Sequence, residues 1–242
     1  MTKKPLDKKS SVNEIKERFD RDVERFSDLE TGQQAVVDAP IILELISKIA
    51  AGVKPDAKNL LDIGSGAGNN TISILREKPG INCDLVDISL PMLEKAKERI
   101  SKEDAGEVKI FHGDFRDIDL PVSHYDLIVA AAVLHHLRDD ADWERCFQKI
   151  YELLKLGGAF FVSDMVHHQH PTIHNKMWDR YGDHLESISG NEYKQKVFEY
   201  IEKEDSPRSL SYQMELMKKV GFTTVDVLHK NSCFTAFVGI KE

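Results

Sequence analysis

The sequence is poor in the features that would mark a secreted, membrane-embedded or polyanion-binding chain. Only three of its 242 residues are cysteine, Cys83, Cys146 and Cys233, with no C-x-x-C spacing and each in an apolar context. An odd, scattered set excludes a disulfide framework and predicts buried free thiols. No apolar run approaches the roughly 18 residues that a membrane-spanning helix needs. The start, Met1-Thr2-Lys3-Lys4-Pro5, has charge but no apolar stretch behind it, so neither a span nor a secretory leader is predicted and a cytoplasmic location is expected. Positive charge is also short: 33 Lys and Arg against 41 Asp and Glu leave a net charge of −8. Holding nucleic acid by general phosphate attraction needs a basic face, so that mode of binding is not expected. There is no internal repeat and no low-complexity segment.

What is present suits one α/β domain over 1–242. With 41% apolar and 31% charged residues, the chain is long enough to bury a sizeable core. Residues 1–11, rich in Lys, Asp and Ser, read as a mobile tail. Within 12–50, Val12, Ile15, Phe19, Val23 and Phe26, then Ile41, Ile42, Leu45, Ile46 and Ile49, recur at three- and four-residue steps. That is the period of amphipathic helices, and the two stretches, joined by a polar link at 28–34, are expected to form a lid over the mouth of the fold. The cofactor-binding core, 58–165, alternates strands at 59–63, 83–88, 108–111, 125–132 and 159–162 with helices at 69–78, 89–101 and 140–155. Ser89 caps the second of these helices, and Leu156-Gly157-Gly158 is expected to end the third as a C-terminal glycine cap. Such alternation predicts parallel β-α-β units with helices on both faces. A helical insertion on the substrate side follows at 166–207, then 208–242 supplies a helix stopped by Gly221 and two β-rich runs turning at Lys230-Asn231-Ser232. The predicted architecture is a Rossmann-like, seven-stranded, mostly parallel sheet closed by an antiparallel C-terminal hairpin strand.

The chemistry concentrates in Leu60-Leu61-Asp62-Ile63-Gly64-Ser65-Gly66-Ala67-Gly68-Asn69-Asn70-Thr71, an apolar run that ends in an acid and breaks into glycines before a helical pattern. Glycines leave no side chain between backbone and ligand and permit the positive φ of a tight strand-to-helix turn. In open α/β sheets the ligand lies beyond the carboxyl ends of the central strands, which here brings together 62–68, 87–88, 114–115, 130–135 and 164–167. Asp87 ends an apolar strand about twenty residues past the glycines, where a carboxylate can accept both hydroxyls of a ribose. A dinucleotide G-x-G-x-x-G would need glycines at 64, 66 and 69, but position 69 is Asn and the third glycine arrives early as Gly68. Asp62 is a poor neighbour for a pyrophosphate at a helix N-terminus and a good one for a cationic ligand.

These residues resemble the class I S-adenosylmethionine-dependent methyltransferases. The resemblance rests on the glycine turn, on Val86-Asp87-Ile88-Ser89 with Met92, and on Gly113-Asp114-Phe115. It extends to Tyr125-Asp126-Leu127-Ile128-Val129 with Leu134-His135-His136-Leu137, and to Leu153-Leu154-Lys155-Leu156-Gly157-Gly158. It implies that Asp62 and the backbone of Gly64, Ser65, Gly66 and Gly68 hold the methionine part of S-adenosyl-L-methionine. Asp87 would take the ribose, Ile88 and Met92 the adenine face, Asp114 the adenine amino group with Phe115 beside it, and Ala130 and Ala131 the methyl side. S-adenosyl-L-homocysteine would be the product; the acidic balance of the chain favours a small-molecule acceptor, and a homodimer is the expected assembly. His135, following the fourth strand, is the candidate base.

The leading helices and the closing hairpin also look like the branch that contains the carboxy-S-adenosylmethionine synthases of transfer RNA wobble-uridine modification. Those enzymes hold the extra carboxylate with an arginine on the last helix, where this chain reads Gln213-Met214-Glu215-Leu216-Met217-Lys218-Lys219. That activity, a nicotinamide-dependent oxidoreductase and a non-catalytic S-adenosylmethionine-binding protein are the alternatives. His167, His168, His170, His174 and His184, with Asp164 and Asp183, are irregularly spaced and read as surface or pocket lining, so no metal is predicted. Trp178, Tyr181, Tyr193 and Tyr200 read as the core of the insertion.

Overall fold

The computed structural model describes residues 8–28 and 33–242; the tail expected over 1–11 and the link over 28–34 lie partly outside them. The leading helix begins at a capping box, in which the Ser11 hydroxyl accepts from the Glu14 amide and the Glu14 carboxylate accepts from the Ser11 amide. The periodic stretch after it is two helices, α1 (Val12–Arg21) and α2 (Val23–Ser27), separated at Asp22. Ser10 is not part of a mobile tail: it is buried, and its amide donates to Lys203 O at 2.9 Å. Next comes α3 (Ala39–Val53), entered through Asp38 in the left-handed region.

The alternating core then runs β1 (Asn59–Ile63), α4 (Asn69–Glu77), β2 (Asn82–Asp87), α5 (Leu90–Ile100), β3 (Val108–His112), β4 (Tyr125–Ala131) and α6 (Asp140–Leu153), as the periodicity predicts. Strands β1 to β4 are parallel. Strand residues alternate between two hydrophobic layers. Leu127 and Val129 join Leu60 against α3, α4 and α5, while Ile128 and Ala130 join Leu61 and Ile63 against α6.

The expected glycine cap of α6 is corrected. The helix stops at Leu153 and passes directly into β5 (Leu154–Met165), so Gly157 and Gly158 lie inside a strand. There they form an irregularity, because pairing with β4 jumps from Tyr125↔Leu154 to Leu127↔Ala159. Gly157 has φ +74, and a Cβ on Gly158 would lie 2.9 Å from Lys155 O. The helical patches of the insertion are two helices that meet at a break at Ser189 and Gly190, labelled together α7 (Pro171–Glu204); the second folds back on the first, its Phe198 ring lying 6.0 Å from that of Trp178 and 5.8 Å from that of Tyr181. Across α7, Trp178, Tyr181, Leu185, Val197 and Ile201 bury against Met165 and Phe234, with Tyr193 and Tyr200 packed alongside.

After α8 (Leu210–Val220), β6 (Thr224–Asn231) and β7 (Phe234–Lys241) form the hairpin, turning at Ser232-Cys233 rather than at 230–232. The sheet order is β3-β2-β1-β4-β5-β7-β6, and β7 is antiparallel to both neighbours. All three cysteines are free and buried, and burial pushes their thiols up to about 12. Among the described residues no helix is long and apolar enough to cross a membrane.

Candidate active site

Strand order reverses between β1 and β4, and the crevice beyond their carboxyl ends opens into a cavity of about 580 Å³. That size is within the roughly 300–1,000 Å³ usual for small-molecule sites. One wall is the ends of β1, β2 and β4; the opposite wall is α1, α2 and the start of α3, and the far end reaches Tyr181, Tyr200 and Phe234 around α7.

The glycine turn is shaped by close approach on one side and space on the other. Gly64, Gly66 and Gly68 all have positive φ, at 65°, 50° and 83°. A Cβ on Gly64 would strike Val133 at 2.6 Å, and one on Gly68 would press on Ile100 and Ala96 of α5. One on Gly66 would meet nothing within 4 Å, and this residue faces the cavity.

Of the residues expected at the cofactor, Gly64, Ser65, Gly66, Asp87, Ile88 and Met92 line the cavity, as do Asp114, Phe115, Ala131 and His135. Asp62, Gly68 and Ala130 lie behind that wall. Asp62 shares the sheet face of Leu60 and points at α4, where its Oδ2 accepts from the Thr71 hydroxyl at 2.7 Å. Its Oδ1 is buried with no hydrogen-bond partner, and the same is true of the Ser65 hydroxyl. Burial, opposed by the Thr71 hydrogen bond and reinforced by the Asp87 charge, pushes the Asp62 carboxyl up to about 7.

Asp87 accepts from the Gly66 amide at 2.8 Å through Oδ2 and from the Ser89 amide at 2.9 Å through Oδ1. It therefore ties the end of β2 to the glycine turn. Burial raises its carboxyl above the usual range, and the two amides pull the other way. Asp114 is clasped by Arg116, whose Nε and Nη2 donate to its two oxygens at 2.9 and 2.5 Å. Burial works against ionisation of Asp114, but the Arg116 hydrogen bonds outweigh it and hold the carboxyl below the usual range.

Beyond the methyl side the chain assembles a polar group that the sequence does not advertise. His135 and His136 lie in a short 3-10 turn, Leu134–His136, after β4. The Asp164 carboxylate, at the end of β5, accepts from the His135 amide at 3.1 Å and lies 2.5 Å from His135 Nδ1. From the other side Asp205, just past α7, brings Oδ1 to 3.6 Å from His135 Nε2 and 3.2 Å from His136 Nδ1. The backbone fixes this meeting, since the Ser206 amide donates to His135 O at 2.7 Å. The His136 contact is poorly aimed, so both its ring nitrogens and Asp205 Oδ1 are left without a hydrogen-bond partner. Burial disfavours the His135 imidazolium, but the Asp164 and Asp205 charges more than offset this and raise it to about 9. In the free protein His135 thus carries its proton at neutral pH.

Nearby, Arg18 of α1 grips both oxygens of Glu204 at 2.6–3.0 Å, and Arg138 donates to Glu204 O and, at 2.7 Å, to Ser10 O. Asp205, Arg18 and Arg138 were not picked out in the sequence, and His136 only as part of the motif at 134–137, because partners so far apart along the chain leave no local spacing to read. Of the histidines at 167–184, His167 and His174 pack with tilted rings 4.3 Å apart and His168 lies beside His174, whereas the His184 ring meets Gln34 O.

Residues 60–158 match the model of a methyltransferase domain. The carboxy-S-adenosyl-L-methionine synthase of Nautilia profundicola is 25% identical over 187 residues, 77% of this chain and 78% of that protein. The solved structure of human N-acetylserotonin methyltransferase in complex with S-adenosylmethionine superposes with a TM-score of 0.61 at 18% identity, covering 93% of this chain and 56% of that one. The chain thus carries a methyltransferase domain, in an enzyme of the S-adenosylmethionine-dependent kind. A 2-methyl-6-phytyl-1,4-hydroquinone methyltransferase of rice is 34% identical to it, but over 113 residues only, 47% of this chain and 30% of that one. The likeness to the synthase thus runs over most of the chain and that to the hydroquinone methyltransferase over about half of it, and the cofactor is S-adenosylmethionine.

Proposed function

We propose that this methyltransferase transfers a methyl group to a small-molecule acceptor seated between Ala131, the 3-10 turn and α7. The observation that carries the reading is the continuity of the cavity, which runs from Gly66 and Asp87 past Ala131 to Tyr181 and Tyr200. One continuous space thus has room for cofactor and acceptor end to end. The residues suit the cofactor. The free space at Gly66 admits it against the backbone, the unpaired Asp62 Oδ1 behind the turn suits its ammonium, and the lone pairs left on Asp87 suit its ribose. Ile88 and Met92 would flank the adenine, with Asp114 and Phe115 at its edge.

A sulfonium supplies an already activated methyl group, so the protein's task is to orient the acceptor and exclude water. Alignment of this kind is worth about 7–11 kcal/mol. The lid of α1 and α2 and the body of α7 would close the cavity, with Arg18 and Glu204 joining them. A second reading, carboxy-S-adenosylmethionine synthesis, is favoured by the likeness to the Nautilia profundicola synthase over most of both chains. Mass spectrometry of the cofactor released from purified protein separates the two, since that activity leaves a cofactor heavier by one carboxylate.

The test of the main reading is calorimetry with S-adenosylhomocysteine. Hydrogen bonds to a charged acceptor are worth about 1.5–3 kcal/mol each, so Asp87→Ala should bind at least about tenfold more weakly. Unchanged affinity would sink the assignment. Turnover against a panel of small hydroxyl, amine and carbon acceptors then reads the acceptor class.

A further inference from the structure

We propose that His135, His136 and Asp205 form a binding site for one divalent first-row transition-metal ion, which holds the acceptor by an oxygen donor; the acceptor's role rests on the reading above. Each of the three offers a ligand atom, and these atoms lie within 4.8 Å of one another. Bonds of about 2.0–2.2 Å to nitrogen and oxygen set neighbouring ligands about 3 to 3.5 Å apart. Asp205 Oδ1 already lies 3.2 Å from His136 Nδ1 and 3.6 Å from His135 Nε2.

The donors are otherwise unclaimed. The Asp205 side chain is only 2% exposed, yet its Oδ1 has no hydrogen-bond partner, and neither ring nitrogen of His136 has one. Leaving such groups buried and unpaired costs about 1–3 kcal/mol apiece, a cost that a bound cation would remove. The orienting contact that metal-ligating histidines require is also in place. Asp164 at His135 Nδ1 fixes that nitrogen as the donor and leaves Nε2 to ligate once the ion displaces its proton.

Two imidazoles and one carboxylate on one side of an ion leave its remaining positions open, and all three residues line the cavity. An acceptor oxygen can therefore complete the shell, and coordination favours its deprotonated form by Lewis-acid polarisation. The cations facing the group are Arg18, Arg138 and Lys9, the last donating to Glu202 O and Asp205 O at 2.7 and 2.6 Å. The guanidinium of Arg18 is neutralised by Glu204 at 2.6 Å, and that of Arg138 is spent on backbone carbonyls.

The test is a cobalt(II) titration of the full chain, prepared without a histidine tag and stripped with chelator, read by visible d–d absorption. Wild type and His174→Ala, which alters the other histidine group, should take up one equivalent with a saturable band. His136→Ala and Asp205→Ala should lose it, with His136→Gln as a milder substitute if the alanine variant does not fold. Asp164→Asn, which neutralises the carboxylate that orients His135, should weaken cobalt binding about 10- to 100-fold. A wild type with no saturable band, or a band that survives His136→Ala and disappears in His174→Ala, overturns the proposal. S-adenosylhomocysteine calorimetry on the same samples keeps the readings apart. Intact cofactor binding without cobalt uptake defeats the metal site alone, whereas cobalt uptake without cofactor binding defeats the placement of the cofactor.

Discussion

Asp62 sets a pH dependence that belongs to a single carboxyl group. Its pKa rises from an ordinary 3.8 to about 7 in the fold, so the folded chain favours the protonated form. Its contribution to stability is therefore full below about pH 4 and is lost as pH rises through about 7. Pairing with an ammonium needs the carboxylate, so affinity for S-adenosylhomocysteine should fall as pH drops below 7, approaching tenfold per unit. Calorimetry from about pH 5.5 to about 8.5 on wild type and Asp62→Asn checks this. The variant should bind more weakly at neutral pH and lose this dependence; an acid limb of equal slope in both would assign the titration to another group. The position of Asp62 was legible from the acid ahead of the glycines, and that of Asp87 from its place at the end of an apolar strand. Asp205 was not, because Glu202-Lys203-Glu204-Asp205 reads as a solvated helix end until folding brings it to His135.

At the scale of elements, the fold-back of the two α7 helices over the cavity depends on one glycine. Gly190 holds φ 80° and ψ −179° in the middle of α7, a region essentially closed to side chains, where strain runs to about 1–3 kcal/mol. A Cβ there would meet nothing within 4 Å, so the cost of Gly190→Ala is backbone strain alone. The thermal midpoint should drop by roughly 3–10 °C with cofactor affinity unchanged; a shift below about 1 °C would mean that the turn between the two helices does not need a glycine. The break also explains why the insertion read as separate helical patches, since the apolar period is interrupted there. Elements β1 to β4 were legible because each is a short apolar run bounded by polar turns or an amphipathic helix. The passage from α6 to β5 was not, because a glycine pair looks alike at a helix end and at a strand irregularity. Only the pairing of Leu154 with Tyr125 decides between them.

For the whole molecule, the position of β7 governs how the sheet can be assembled. Strands β1 to β4 pair in parallel across crossovers through the helices of the core, whereas Phe234 of β7 must find Met165 of β5 across α7, α8 and β6. Closing so long a loop costs entropy before any pairing repays it, and non-local pairings form slowly. During refolding, pulsed hydrogen exchange should find amides of β1, β2 and β4 protected before those of β7; simultaneous protection would refute this order. Until β7 docks, β5 presents an unpaired edge carrying Phe160 and Phe161, both fully buried in the finished sheet. An open apolar strand of that kind is a template for joining other chains. Yield on refolding should therefore depend on protein concentration, through aggregation at an edge that the native sheet closes last.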